Sequence, residues 1–96
     1  MATKELLALR RTEILALAGQ YGTKNVRLFG SVARGQEGSA SDVDLLVDME
    51  HGRTLLDLVG FWQDLEELLD CRVDVITDGE ISPYLRERIY AEAIPL

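Results

Sequence analysis

The alternation of apolar and polar positions divides the chain into short elements. Over residues 3–21, Leu7, Ile14, Ala18 and Tyr21 share one helical stripe. Leu6 and Leu15 flank it, and Arg10, Arg11 and Glu13 fall on the wetter side. Thr3 can cap this helix, and Gly22 is its expected stop. Asn25 to Phe29, with its short apolar run Val26 to Phe29, then reads as a strand ending at Gly30-Ser31. Ser31 to Arg34 has room for one helical turn, and the Gly- and Ser-rich stretch Gly35 to Ser41 reads as a loop. Val43 to Met49 is nearly all apolar, as expected of a strand covered on both faces.

The longest helix is expected from Thr54 to Leu69. Leu55, Leu58, Val59, Trp62, Leu65, Leu68 and Leu69 form its stripe, and Thr54 with Asp57 comes close to a capping box. Arg72 to Thr77 reads as a third strand closed by Asp78-Gly79. Ser82-Pro83 is a cap followed by a proline at the first helical position. It opens a last helix over Pro83 to Ala93, expected to pack Leu85, Ile89 and Ala93. The order α-β-α-β-α-β-α implies an α/β (α+β) fold, with a small mixed three-stranded sheet and helices packed on it. No repeat or linker separates parts of the 96 residues, so a single domain spanning 1–96 is expected.

Composition narrows the function. The formal charge of −7, from 17 acids and 10 bases, disfavours direct binding of nucleic acid, and no basic stripe appears. No apolar run approaches the roughly 18 residues that a membrane span needs, and a signal-peptide core is missing. The lone Cys71 suits a reducing compartment, so a cytoplasmic protein is expected.

The chemistry concentrates between residues 26 and 48. Asp42 and Asp44 stand two apart at the start of a strand, so their carboxylates point to one side while Val43 and Leu45 point into the core. Two acids held this close repel unless a cation lies between them. Mg²⁺ suits them, because it prefers carboxylates together with phosphate and water. Asp74 sits mid-strand between Val73 and Val75, and an acid there needs a partner. If the third strand neighbours the second, Asp74 joins the pair, and three such acids can hold two divalent ions roughly 4 Å apart. Gly30 allows close approach of phosphates, and Ser31 adds a hydroxyl and an amide donor. Arg34 could reach a phosphate oxygen or pair with an acid. Asp48 reads as a surface acid at a strand end, His51 as an exposed turn residue, and Tyr84 and Tyr90 as packing or partner-facing residues.

Gly30-Ser31, ten residues, then Asp42-Val43-Asp44 resembles the signature of the DNA polymerase beta-like nucleotidyltransferases. The fuller string, Gly-Ser-Val-Ala-Arg-Gly followed by Ser-Asp-Val-Asp-Leu-Leu-Val, resembles the minimal nucleotidyltransferase (MNT) antitoxins of HEPN–MNT toxin–antitoxin pairs. The leading helix, the Asp-Val third strand and the helix Ile-Ser-Pro-Tyr-Leu-Arg-Glu-Arg-Ile extend the likeness over nearly the whole chain. The resemblance implies the nucleotidyltransferase fold and transfer of AMP from ATP to a tyrosine hydroxyl of a HEPN RNase toxin, with release of pyrophosphate. It implies Asp42, Asp44 and Asp74 as catalytic metal ligands for Mg²⁺, with Asp74 as proton acceptor. It implies a nucleotide site at Gly30, Ser31, Arg34 and Ser41, and a hetero-oligomer with the toxin. Two other readings are a non-catalytic antitoxin that only occludes its partner, and a nucleotidyltransferase acting on a small molecule. The lack of a separate acceptor-binding domain in the sequence weighs against the latter.

Overall fold

A computed structural model of the protein describes residues 4–35 and 43–96, with the backbone alone at residue 80. Thr3, most of the loop expected over Gly35 to Ser41, and the candidate site residues Ser41 and Asp42 lie outside the described residues.

The first helical segment is divided. α1 (Lys4–Leu9) and α2 (Arg11–Gln20) meet at Arg10, a single residue in turn geometry. Hydrogen bonds from Arg10 to Leu6 (3.0 Å) and from Ile14 to Arg10 (2.9 Å) carry the helical ladder across the break. The expected stripe therefore survives, with Leu7, Ile14 and Ala18 all buried. Gly22 follows with φ +70°, where a Cβ would also overlap the Arg53 side chain.

β1 (Thr23–Phe29) starts earlier than the apolar run suggests, because Thr23 and Lys24 pair with Met49 and Asp48 ahead of an irregularity between Lys24 and Arg27. Asn25 takes a positive φ there, a conformation that asparagine tolerates better than most residues. One helical turn, α3 (Gly30–Ala33), follows β1 as anticipated. β2 (Val43–Met49), α4 (Leu55–Leu69) and β3 (Val73–Thr77) fall where the pattern puts them. A 3-10 turn over Asp78–Glu80 leads to α5 (Pro83–Glu92).

Among the described residues the sheet has four strands rather than three, in the order β3-β2-β1-β4. β4 (Ile94–Pro95) pairs antiparallel with β1 at Arg27↔Pro95 and Leu28↔Ile94. A two-residue strand containing proline has no periodicity to read, and an edge is where proline is tolerated. β1 and β2 run antiparallel while β2 and β3 run parallel, so the sheet is mixed as expected.

β2 is covered on both faces. Val43, Leu45 and Val47 join Leu7, Ile14, Phe61 and Leu65 in the main core beneath α1, α2 and α4. Leu46 faces the other way, against Ile81, Ile89, Phe29 and Ile76. Two helix stripes need correction. On α4 the buried line is Leu58, Phe61, Leu65 and Leu69, while Leu55 is 72% exposed and Val59 38%. The fully buried Phe61 lies one position before Trp62, and the helix is rotated to bring it under the sheet. On α5 Ile89 is buried but Leu85 is not; Ile81 from the preceding turn fills that place. The N-terminus of α4 is held as the sequence suggests, with the Thr54 N–H donating to Asp57 at 2.9 Å. That bond, opposed by partial burial and helped by Arg53, holds the Asp57 carboxyl below its usual range.

Candidate active site

Strand pairing sets the site. Phe29, the last residue of β1, lies opposite Asp44 of β2, and Asp44 lies beside Asp74 of β3. One row across three strands thus runs from the Gly30 turn through Asp44 to Asp74. Side chains in register on neighbouring parallel strands share a face. Val43, Leu45, Val73 and Val75 are all buried on the helix-covered face. Asp44 and Asp74 therefore emerge together on the opposite face, half-buried and exposed respectively.

Gly30 is a glycine for two reasons. Its φ is +80°, which L side chains rarely adopt, and a Cβ built on it would overlap Asp44 Oδ2. The turn and the carboxylate are thus in contact, with no room for a side chain between them. Ser31 is half-buried next along α3. Arg34 closes the turn at its other end and forms an ion pair with Glu92 of α5, at 3.0 Å. The same carboxylate accepts the Gly30 N–H at 3.0 Å. An ion pair is one of the two roles open to Arg34 in the sequence.

Glu92 is the residue that sequence reasoning missed. Burial works against its charge, but the Gly30 amide and the Arg34 and Arg88 guanidinium groups outweigh that and hold its carboxyl below the ordinary range. Its two partners lie 62 and 58 positions away, beyond any local motif. Nothing in the pattern of the last helix marks Glu92 above Glu87.

Beyond Asp74 the sheet ends, because β3 is an edge strand. An open cleft of about 410 Å³ lies there, lined by Trp62, Glu66, Arg72, Val73 and Asp74. Its wall is fastened by α4 side chains. Glu66 accepts the Val73 N–H at 3.1 Å, and the Trp62 indole N–H donates to the Val73 carbonyl. These bonds occupy the outward-facing amide and carbonyl of the first residue in β3 and close that part of the edge to further pairing.

Among the described residues no group of three metal-ligating side chains gathers in one place. Asp44 and Asp74 provide hard oxygen donors of the kind Mg²⁺ takes, side by side and open to water on one flank, and that donor set fits the ion. The further carboxylate expected beside them, Asp42, lies outside the described residues, as does Ser41. Among the described residues no helix is long and apolar enough to cross a membrane.

Comparison with known proteins places the fold in a family. Residues 11–96 match the model of the nucleotidyltransferase domain family. A Methanocaldococcus jannaschii chain provisionally named a protein adenylyltransferase is 40% identical over 84 residues, covering 88% of this chain and 90% of that one. The protein adenylyltransferase MntA of Thermococcus cleftensis is 32% identical over 78 residues, 81% of this chain and 79% of its own. A solved structure provisionally assigned as a minimal nucleotidyltransferase superposes with a TM-score of 0.88 at 47% identity, covering 99% of this chain and 97% of that one. A toxin–antitoxin crystal structure with AMP-PNP shares the fold at a TM-score of 0.73 and 22% identity, over 88% of this chain and 69% of that one. The chain belongs to the nucleotidyltransferase domain family.

Proposed function

We propose that this nucleotidyltransferase is the antitoxin of a toxin–antitoxin pair and transfers AMP from ATP to a hydroxyl of its partner. The observation that carries the reading is the row Gly30–Asp44–Asp74, in which a glycine turn abuts one carboxylate and a second stands in register beside it. The names of its adenylyltransferase relatives point the same way, as does the fold shared with toxin–antitoxin complexes. The preferred partner is a HEPN-type RNase and the preferred acceptor one of its tyrosines. Both act in the cytoplasm, without direct contact between this chain and nucleic acid.

In this reading Gly30 and Ser31 face the triphosphate, with Ser41 and Arg34 at the ends of the same loop. Asp42, Asp44 and Asp74 would hold Mg²⁺, whose charge would neutralise the triphosphate and make the attacking hydroxyl more acidic. The hydroxyl oxygen forms a bond to the α-phosphorus. The bond from that phosphorus to its bridging oxygen breaks, and pyrophosphate leaves with the electron pair. Asp74, the more exposed acid and the one on the open flank, takes the hydroxyl proton. The row thus holds both reactants in line, and positioning with charge stabilisation supplies most of the acceleration.

The test is to incubate the chain with ATP, Mg²⁺ and the toxin and to weigh the toxin intact. Gain of AMP mass by the wild type, lost with Asp44→Asn, supports the proposal. A toxin neutralised without any change of mass overturns it.

A further inference from the structure

We infer that Glu92 is a positioning residue that sets the distance between the Gly30 turn and the Asp44 carboxylate, an inference that rests on the adenylyltransferase reading. Three observations converge on it. First, one carboxylate ties both ends of the turn. Its Oε1 accepts from the Gly30 N–H at 3.0 Å and from Arg34 Nη1 at 3.1 Å, and its Oε2 accepts from the same Nη1 at 3.0 Å. Second, Glu92 is itself anchored on both sides along the chain. Ile89, one helical turn before it, is buried with Leu46 and Phe29. Ile94, two residues after it, pairs with Leu28, and the Leu96 N–H donates to the Val26 carbonyl at 3.0 Å. The last helix therefore arrives at the turn in one fixed place. Third, the turn so held stands directly beside the acid row, with Asp44 Oδ2 in the place a Cβ on Gly30 would take. Movement of Gly30 is movement relative to Asp44.

Glu92 acts through Gly30 and Arg34 on the geometry of the site and does not itself touch the reacting atoms. Its negative charge also stands where a phosphate oxygen would seek the Gly30 amide, so removing it has two opposite consequences in principle. A positioning role predicts weaker nucleotide binding when it is lost, and a competing role predicts stronger binding. The double anchoring of α5 favours positioning, because a carboxylate made to withdraw would not be fixed from both sides.

The experiment measures binding of AMP-PNP with Mg²⁺ by calorimetry, and exchange of the Gly30 amide by NMR, in the wild type, Glu92→Ala, Glu92→Gln and Glu92→Asp. A hydrogen bond lost or misaligned at a binding site is worth up to about tenfold in an equilibrium constant. On that scale Glu92→Ala weakens binding by about tenfold and exposes the Gly30 amide to exchange, while the amides of β2 and β3 stay protected. Glu92→Gln keeps an oxygen for the Gly30 N–H and recovers most of the affinity. A folded Glu92→Ala that binds as tightly as wild type, or more tightly, overturns the inference. If Glu92→Ala does not fold, Glu92→Asp decides. Its shorter stem cannot reach both donors, so weakened binding supports the inference and wild-type affinity overturns it. A wild type that binds no nucleotide overturns both the inference and the adenylyltransferase reading, whereas one that binds it equally with or without Glu92 overturns the inference alone.

Discussion

The two ends of the acid row are built in opposite ways. At the Gly30 end the backbone abuts Asp44, its amide is held by Glu92, and Arg34 is paired to the same carboxylate. At the Asp74 end the side chain is exposed on a strand whose one sheet neighbour among the described residues is β2, beside an open cleft. The difference has a simple chemical reading under the proposed function. A triphosphate is the same in every turnover, so its end of the site can be fixed in advance and the cost of ordering it met during folding. The acceptor hydroxyl belongs to another macromolecule, so its end must stay open until that molecule closes it.

The sharpest way to break this contrast is at the fixed end. A Cβ at position 30 meets the tip of a flexible side chain, so Asp44 can swing away. Gly30→Ala is therefore expected to lower AMP transfer by about 10²–10³-fold, on the scale seen when one stabilising group is lost. It should cost stability only about 1–2 kcal/mol, for the positive φ. Melting curves alongside intact-mass rates separate the two effects. A variant that keeps its activity would show that the contact with Asp44 does not matter.

At the open end, Asp74→Asn is expected to lower the turnover rate by about 10²–10⁴-fold through loss of the proton acceptor, with stability unchanged to within about 0.5 kcal/mol. The small stability effect follows from exposure, since an acid already in water loses nothing by becoming an amide. Urea unfolding and single-turnover rates test both parts. The wall of the cleft gives an effect of stability alone. Trp62→Phe removes the indole donor to the Val73 carbonyl and is expected to cost about 1 kcal/mol.

The smallest expected effect concerns pH. The Glu92 carboxyl titrates lower in the folded protein than in the unfolded chain. Its contribution is therefore complete above the ordinary glutamate pKa of about 4.3 and is lost as pH falls from there through the depressed folded value. The Arg34 partner is 38% exposed, so solvent screening keeps the pair's contribution within about 1 kcal/mol. Thermal melts between pH 3 and pH 6 should show a shallower acid slope for Glu92→Gln than for wild type.

How legible this was in the sequence depends on range. Gly30, Asp44 and Asp74 announce themselves locally, a glycine closing an apolar run and acids alternating with valines. The strand order that makes them neighbours was a condition in the sequence, and the register Asp44↔Asp74 meets it. Phe61 is hidden from the pattern because its neighbour Trp62 fits a helical stripe almost as well, and only the rotation of α4 on the sheet distinguishes them. Leu55 fits the same stripe yet lies outside the core, because a pattern of leucines does not say where a helix rises clear of it. Glu92 and β4 were out of reach for one physical reason. Both depend on where the chain's end returns, and a contact spanning 62 positions leaves no period behind.

Under the proposed function the Gly30 turn and the Asp44 carboxylate grip a nucleotide and a metal together. The decisive measurement is the melting temperature of the wild type and of Asp44→Asn, with ATP alone, Mg²⁺ alone and both. Ligands bound at a hundredfold excess over Kd stabilise a fold by about 2.7 kcal/mol. For the wild type the pair should raise the melting temperature by more than the sum of the separate effects, and Asp44→Asn should lose that excess. An equal rise in both proteins would contradict the claim.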